Sequence, residues 1–66
     1  MMQKGELFIC TAECEADGTV ISKGTKWRIV GFTVDCVVLQ NATIRPPLAI
    51  DFPEEDFMCY FHEARL

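Results

Sequence analysis

Apolar and polar positions alternate along the stretch ELFICTAEC, residues 6–14. Because successive side chains of a β-strand point to opposite faces, we expect Phe8, Cys10 and Ala12 on one face of a first strand. Two dipeptides that favour tight turns follow this stretch, Asp17-Gly18 and Lys23-Gly24. The pattern therefore predicts a first strand followed by a connection that contains two turns.

The clearest alternation runs through KWRIVGF, residues 26–32, where Trp27 and Ile29 alternate with basic residues. We expect Trp27 and Ile29 in the core and the lysine and arginine on the opposite face. Gly31 predicts a bulge or sharp bend, because a glycine inside a strand pattern usually marks one. The next apolar run, CVVLQN at residues 36–41, follows after a short connection and is expected to pair with this strand as a hairpin.

Two prolines interrupt the pattern after that hairpin. Pro46 and Pro47 have no backbone N–H for a sheet ladder, so they belong at an edge or a kink. Beyond them, Leu48 and Ile50 are expected to face the core.

The period changes in the last segment, FPEEDFMCYFHEARL, residues 52–66. Pro53 suits a first helical position, and the acids that follow it complement the positive end of a helix dipole. Arg65 is expected in the last turn. Four side chains fall on one helical stripe that would cover the sheet: Phe57, Tyr60, Phe61 and Ala64.

Four short strands and a terminal helix in 66 residues predict a single domain spanning residues 1–66. The fold class is mainly β, a small and strongly curved antiparallel sheet or barrel of the Src-homology-3-like type with a short C-terminal helix, because a flat sheet of this size leaves both faces too wet.

Composition and the start of the chain indicate a compact cytoplasmic protein. Half of the residues are hydrophobic, which is enough to form a core. The first ten residues, MMQKGELFIC, lack the length and cleavage site of a secretory signal, and no apolar run is long enough for a membrane span. In the cytosol the four cysteines stay reduced, so metal binding or ordinary burial are the alternatives for them.

Three segments, KGTKWRI at 23–29, VVLQN at 37–41 and LAIDFPEEDFMCYF at 48–61, carry a family resemblance. Over residues 20–62 the chain resembles small uncharacterised single-domain proteins of Gram-positive gut bacteria, their phages and their mobile elements. The resemblance implies a Src-homology-3-like fold, with Trp27, Phe57 and Phe61 in the core. It implies no particular activity, although an accessory role towards a host protein would suit such an origin.

The sequence offers one metal hypothesis. Cys10 and Cys14 are spaced by three residues, and Cys59 with His62 supplies the natural second half of a tetrahedral zinc site, with Cys36 as the alternative to His62. Such a site would tie the helix to the first strand and stabilise a small chain. The competing interpretation, which we favour, treats Cys10 and Cys36 as small core hydrophobes.

Other chemistries have weaker sequence support. The one histidine, His62, lies beside Cys59 near the chain end without a pocket or oxyanion hole, so we expect no enzyme activity. Ten acidic and six basic residues give a net charge of −4, and the bases are scattered. Nucleic-acid binding requires a clustered positive surface, so we do not expect it.

Acidic residues form two groups, which are either solvated polar segments or a partner-binding surface. The first group is expected in one loop, and the second at the helix start: Glu13, Glu15 and Asp17, then Glu54, Glu55 and Asp56. Our hypothesis is a non-enzymatic interaction module that uses these acids and an exposed strand edge to bind a protein. The alternative function is a zinc-stapled structural or regulatory protein. Apolar surface could also be covered by a second copy, as a homodimer.

Overall fold

A computed structural model describes residues 2–43 and 45–64 of the chain. These residues form seven short strands and one helix. The elements in chain order are β1 (Leu7–Cys10), β2 (Cys14–Ala16), β3 (Thr19–Ile21), β4 (Lys26–Phe32), β5 (Cys36–Asn41), β6 (Ala49–Pro53), α1 (Glu54–Tyr60) and β7 (Phe61–Glu63). The mainly β composition and the short C-terminal helix are confirmed.

All strand pairs are antiparallel, and they make two sheets. Five strands form the main sheet in the order β6-β5-β4-β1-β7, while β2 and β3 form a separate hairpin. Helix α1 connects the two edge strands of the main sheet, β6 and β7. The first strand therefore lies inside the sheet, next to the last one.

The core lies between the inner face of the main sheet and α1. The ring of Phe57, the one fully buried residue of the helix, stacks on Phe61 with centroids 4.8 Å apart and meets Phe8 edge-on at 4.9 Å. Phe52 contacts the same group at 6.1 Å from Phe57 and 5.2 Å from Phe61. This aromatic cluster attaches the helix to strands β1, β6 and β7.

The predicted central strand is confirmed in detail. Trp27 and Ile29 are buried, whereas Lys26 and Arg28 are exposed on the opposite face of β4. The register of β4 with β5 shifts between Ile29 and Gly31, which is the expected bulge. The hairpin of these two strands is also confirmed.

The first predicted strand is wrong in its length. β1 ends at Cys10 and the chain leaves the main sheet, so Ala12 is exposed instead of facing the core. The backbone groups at the break bond to other segments: the Thr11 N–H donates to the Tyr60 carbonyl at 2.7 Å, and Gly24 N–H donates to the Cys10 carbonyl at 2.7 Å. The chain then re-enters strand structure as β2.

The two predicted turns are confirmed. Asp17 and Gly18, with φ of 53° and 72°, connect β2 to β3. Two successive positive φ values are characteristic of the tight turn that best matches strand twist. Gly24 has φ of 91°, a conformation that favours glycine.

The predicted helix is too long. It ends at Tyr60, and Phe61–Glu63 instead form β7, which pairs with β1 through Cys10 and Phe61. The stripe is therefore divided between a helix and a strand, with Ala64 beyond both. Strand pairing satisfies the backbone at the β1 edge while still burying Phe61, so tertiary pairing overrides the helical period. The predicted position of Arg65 lies outside the described residues.

The proline segment agrees with its prediction in part. Pro46 and Pro47 lie in the connection between β5 and β6, and the Arg45–Pro46 peptide bond is cis. Ile50 is buried on β6 as expected. Leu48 is 38% exposed, which corrects its expected core position, because it precedes β6 and lies beyond the end of that strand. Over residues 2–43 and 45–64, no helix is long and apolar enough to cross a membrane.

Candidate functional site

The first acidic group does not form a loop. Glu15 lies within β2, Asp17 lies in the turn after it, and Glu13 precedes the strand, all three exposed. The expectation of one acidic loop is therefore wrong, because pairing with β3 draws this segment into a hairpin. Asp17 remains connected to the main sheet, since its Oδ2 accepts a hydrogen bond of 3.4 Å from the Asp51 N–H.

The second acidic group lies where it was predicted. Glu54, Glu55 and Asp56 form the exposed first turn of α1. The Glu54 N–H donates to the Asp35 carbonyl at 3.0 Å, which fixes the helix start beside the β4–β5 connection. Asp17 contacts the middle of β6 and α1 starts at its end, so the two acidic groups lie along the same edge strand.

A groove opens beside α1 at the end of the core. Its apolar lining consists of Met2, Phe8, Phe32 and Met58, and it encloses about 440 Å³. We call it the methionine groove. Phe8 is buried at its base, whereas Phe32 is 45% and Met58 is 64% exposed. Exposed apolar side chains scattered singly are normal on a protein surface, whereas these two line the same groove.

Three carboxylates complete the lining of the methionine groove: Glu6, Glu54 and Glu63. Among residues 2–43 and 45–64, no lysine or arginine belongs to the lining. Negative charge next to low-dielectric apolar walls produces a focused negative potential, which attracts cations. The groove therefore combines an apolar floor with a negative rim.

Strand register explains why these side chains meet. Residues directly opposite each other in an antiparallel pair share a face of the sheet. Glu63 pairs with buried Phe8, and Phe32 pairs with buried Val37, so Glu63 and Phe32 belong to the inner face. Glu6 is two residues before Phe8 and lies on that face as well. The inner face thus continues beyond the core and ends in the groove.

Of the predicted site residues, only Glu54 lies in the methionine groove. Three apolar residues of the groove were not predicted from the sequence: Met2, Phe32 and Met58. Phe32 had a usable signal, because it follows the bulge at the end of the clearest strand. Met2 and Met58 had none, since their proximity depends on the pairing of β7 with β1.

A second depression of about 480 Å³ lies on the other side of Glu54 and is lined by Asp35, Cys36, Pro53, Glu54 and Glu55. Burial raises the pKa of the Cys36 thiol, and the hydrogen bond and negative charge of Asp35 add to the increase. A thiol held in its neutral form is a weak nucleophile. Its three carboxylates, Asp35, Glu54 and Glu55, extend the acidic surface.

The proposed zinc ligands occupy different environments. Cys10 is fully buried, and its thiol contacts the Ala12 carbonyl oxygen at 3.0 Å. Desolvation by burial, followed by the neighbouring Cys10, raises the pKa of Cys14 from 9.0 to about 11. Cys59 is exposed on α1, while His62 is exposed on β7 with its Nδ1 2.9 Å from the Glu63 carbonyl oxygen. Within the described part of the chain, no three His, Cys, Asp or Glu side chains gather as a metal site.

Zinc binding stays a prediction, and it can be tested directly. Native mass spectrometry of protein purified under reducing conditions without chelator reports bound metal, thiol count and subunit number together. A zinc adduct that is lost in a Cys59→Ser variant would support the zinc hypothesis. A bare mass with four free thiols would rule it out.

The surface beside α1 is thus an apolar groove with a carboxylate rim. This groove is continuous with the edge strand β6, along which the acidic groups lie. Neither models of known protein families, nor characterised proteins, nor solved structures match this chain.

Proposed function

We propose that this chain is a non-enzymatic interaction module that binds a protein partner of basic character through the methionine groove and the adjacent acids. The observation that carries the proposal is the exposure of Met58 and Phe32, 64% and 45%, within a groove that also holds three carboxylates. Burying apolar side chains stabilises a complex, and complementary charge sets its specificity and speed of formation.

Methionine suits such a surface. Its unbranched side chain and polarisable sulfur adapt to irregular partners, which is why methionine is common at adaptable binding surfaces. Met58 belongs to the helix, whereas Met2 packs partly buried against the core. The pair allows the groove to adjust its width without changing the backbone.

The acidic residues extend the proposed surface. Glu54, Glu55 and Asp56 lie next to the groove, and the hairpin acids Glu13, Glu15 and Asp17 lie further along β6. These exposed carboxylates contribute through the combined field more than through individual ion pairs, each of which is worth less than about 1 kcal/mol. A partner with a basic surface is the one that this arrangement favours.

The fold proposed for this module is a Src-homology-3-like arrangement. The seven residues of α1 connect both edges of the five-stranded sheet and span about 10 Å, whereas the edges of a flat five-stranded sheet lie about 19 Å apart. That difference supports strong curvature. The pairing of the first strand with the last, and the hairpin inserted between β1 and β4, also favour a small barrel-like arrangement.

The cytosol is the compartment we propose for this protein, because its four cysteines are unpaired and thiols persist where glutathione and thioredoxin reduce them. On the family resemblance, we propose that the protein is encoded by a phage or mobile element and acts as an accessory protein on a host protein. The partner contacts the methionine groove whether it belongs to the same phage or mobile element or to the host.

A comparison of two matched variants tests the proposed function. Met58→Ser removes an apolar side chain that is 64% exposed in the groove, and Val20→Ser removes one that is 61% exposed on the hairpin. Quantitative affinity capture from cytosol should recover a protein with wild type and Val20→Ser that Met58→Ser loses. Charge reversal of Glu54, Glu55 and Asp56 to lysine should also abolish capture. If every captured protein is retained by Met58→Ser and by the charge reversal, the proposal is wrong.

A further inference from the structure

We propose that the methionine groove receives a cationic amphipathic helix of a partner protein, with an apolar stripe flanked on both sides by lysine or arginine. This inference rests on the proposed function and names the partner chemistry for the same site. It follows from three properties of the groove: its apolar floor, the position of its carboxylates, and the acidity of the chain itself.

The floor requires an apolar occupant. Phe8 is 3% exposed at the base, with Phe32 and Met58 on either side. Water in contact with these side chains forms no hydrogen bonds with them, so an apolar side chain that displaces it gains free energy. A purely charged or polar segment would leave this gain unused.

The carboxylates lie on two sides of that floor. On one side Glu6 directly precedes β1, and Glu63, which has an interaction of its own within the chain, lies beside it opposite Phe8. Glu54 lies across the groove at the start of α1, held beside the β4–β5 connection by its bond to Asp35. An occupant that pairs with both sides must present positive charge on both flanks of its apolar contact.

A helix meets this requirement, and a strand does not. On a helix, apolar residues at i, i+3, i+4 and i+7 form a stripe, and the positions beside the stripe project to both flanks. On a strand, side chains alternate between two opposite faces, so charges that alternate with the apolar anchors would point away from the groove. The geometry therefore favours helix-in-groove binding over strand addition.

A second copy of this chain is a poor occupant. Its net charge is −4, and its own helix carries three acids in the first turn and no base in the last turn. Placing that helix in a groove rimmed by carboxylates would bring like charges together. The partner is therefore a different protein with a basic segment.

The test uses designed peptides of about 15 residues, a length at which helix formation on a partner surface is feasible. The first contains leucine at i, i+3, i+4 and i+7 with lysine elsewhere. The second replaces lysine with glutamate, and the third has the composition of the first but places its four leucines at every second position, so that they share one face of a strand. Fluorescence polarisation measures Kd for each peptide with the full chain, and circular dichroism reports helix formation on binding.

We expect saturable binding of the first peptide alone, with helix induction. Met58→Ser should weaken it about tenfold or more, while Val20→Ser leaves Kd unchanged. Glu54→Gln should weaken it about two- to fivefold, whereas Glu15→Gln, which removes the same charge from the hairpin, should have no effect.

Four outcomes would overturn the inference: equal binding of the glutamate or the alternating peptide, equal weakening by Glu54→Gln and Glu15→Gln, no binding of any peptide, or a dimer whose dissociation follows Met58→Ser. The proposed function is judged separately. If no peptide binds but a captured protein still depends on Met58, the cationic helix is wrong and the interaction module stands.

Discussion

Phe57 is expected to carry much of the stability of the helix–sheet contact. It is fully buried, and its ring has two neighbours within 5 Å between centroids, Phe8 at 4.9 Å and Phe61 at 4.8 Å. Phe57→Leu keeps an apolar side chain but removes both aromatic contacts. The loss of buried volume costs about 1–2 kcal/mol, and the two ring pairs contribute about 0.5–1.5 kcal/mol each.

These contributions give an expected loss of about 2–5 kcal/mol in the free energy of unfolding. A chain of 66 residues has a total of about 3–10 kcal/mol. The variant should therefore be close to its unfolding threshold, with a fall in Tm of about 8 °C or more. Because unfolding abolishes the groove as well, this substitution must be assayed for stability and not for binding.

The neighbouring residue supplies the control. Met58 is on the same helix but 64% exposed, so Met58→Ala should change stability by less than about 0.5 kcal/mol. Urea denaturation followed by tryptophan fluorescence measures both variants, since Trp27 is buried in the native state. Equal destabilisation by Phe57→Leu and Met58→Ala would refute the described packing of α1 on the sheet.

Three further outcomes are expected. Gly24→Ala should lower the free energy of unfolding by about 1–2 kcal/mol because the φ of Gly24 is 91°. Gly31→Ala should be tolerated, since its new Cβ would lie 4.0 Å from Val38 Cβ. Thermal denaturation distinguishes the two variants, and equal Tm values would contradict the turn geometry. Native-state alkylation read by mass spectrometry should label exposed Cys59 first and fully buried Cys10 only on unfolding, and the reverse order would contradict the described burial. Because the pKa of Cys14 rises from 9.0 to about 11 on folding, its contribution to stability is present below pH 9.0 and is lost as pH rises towards 11. Above pH 9.0 the free energy of unfolding should therefore fall more for wild type than for Cys14→Ser. Parallel curves of unfolding free energy against pH for the two proteins would refute this.

Sequence pattern was sufficient where one local rule decided the outcome. The alternation around Trp27, the bulge at Gly31 and the acidic first turn of α1 follow from side-chain period, glycine and the helix dipole. Each of these features depends on neighbours within a few residues. The hairpin of β4 and β5 was predictable for the same reason.

The sequence pattern did not predict the structure where pairing with a distant strand determined it. Phe57 and Phe61 fit a helical stripe, but Phe61 pairs with Cys10, about fifty residues earlier in the chain, and becomes part of β7. The methionine groove depends on the same pairing, because it assembles the chain start, the end of β4, the helix and the end of β7. No local pattern contains that arrangement.

Whether the methionine groove is the binding surface can be read from the ε-methyl NMR signals of the methionines. The chain has three methionines, and a Met58→Leu variant assigns the signal of Met58. On titration with the leucine–lysine helical peptide, we expect the signals of Met2 and Met58 to shift together and saturate. If both signals stay unchanged at saturating peptide, the methionine groove is not the binding surface.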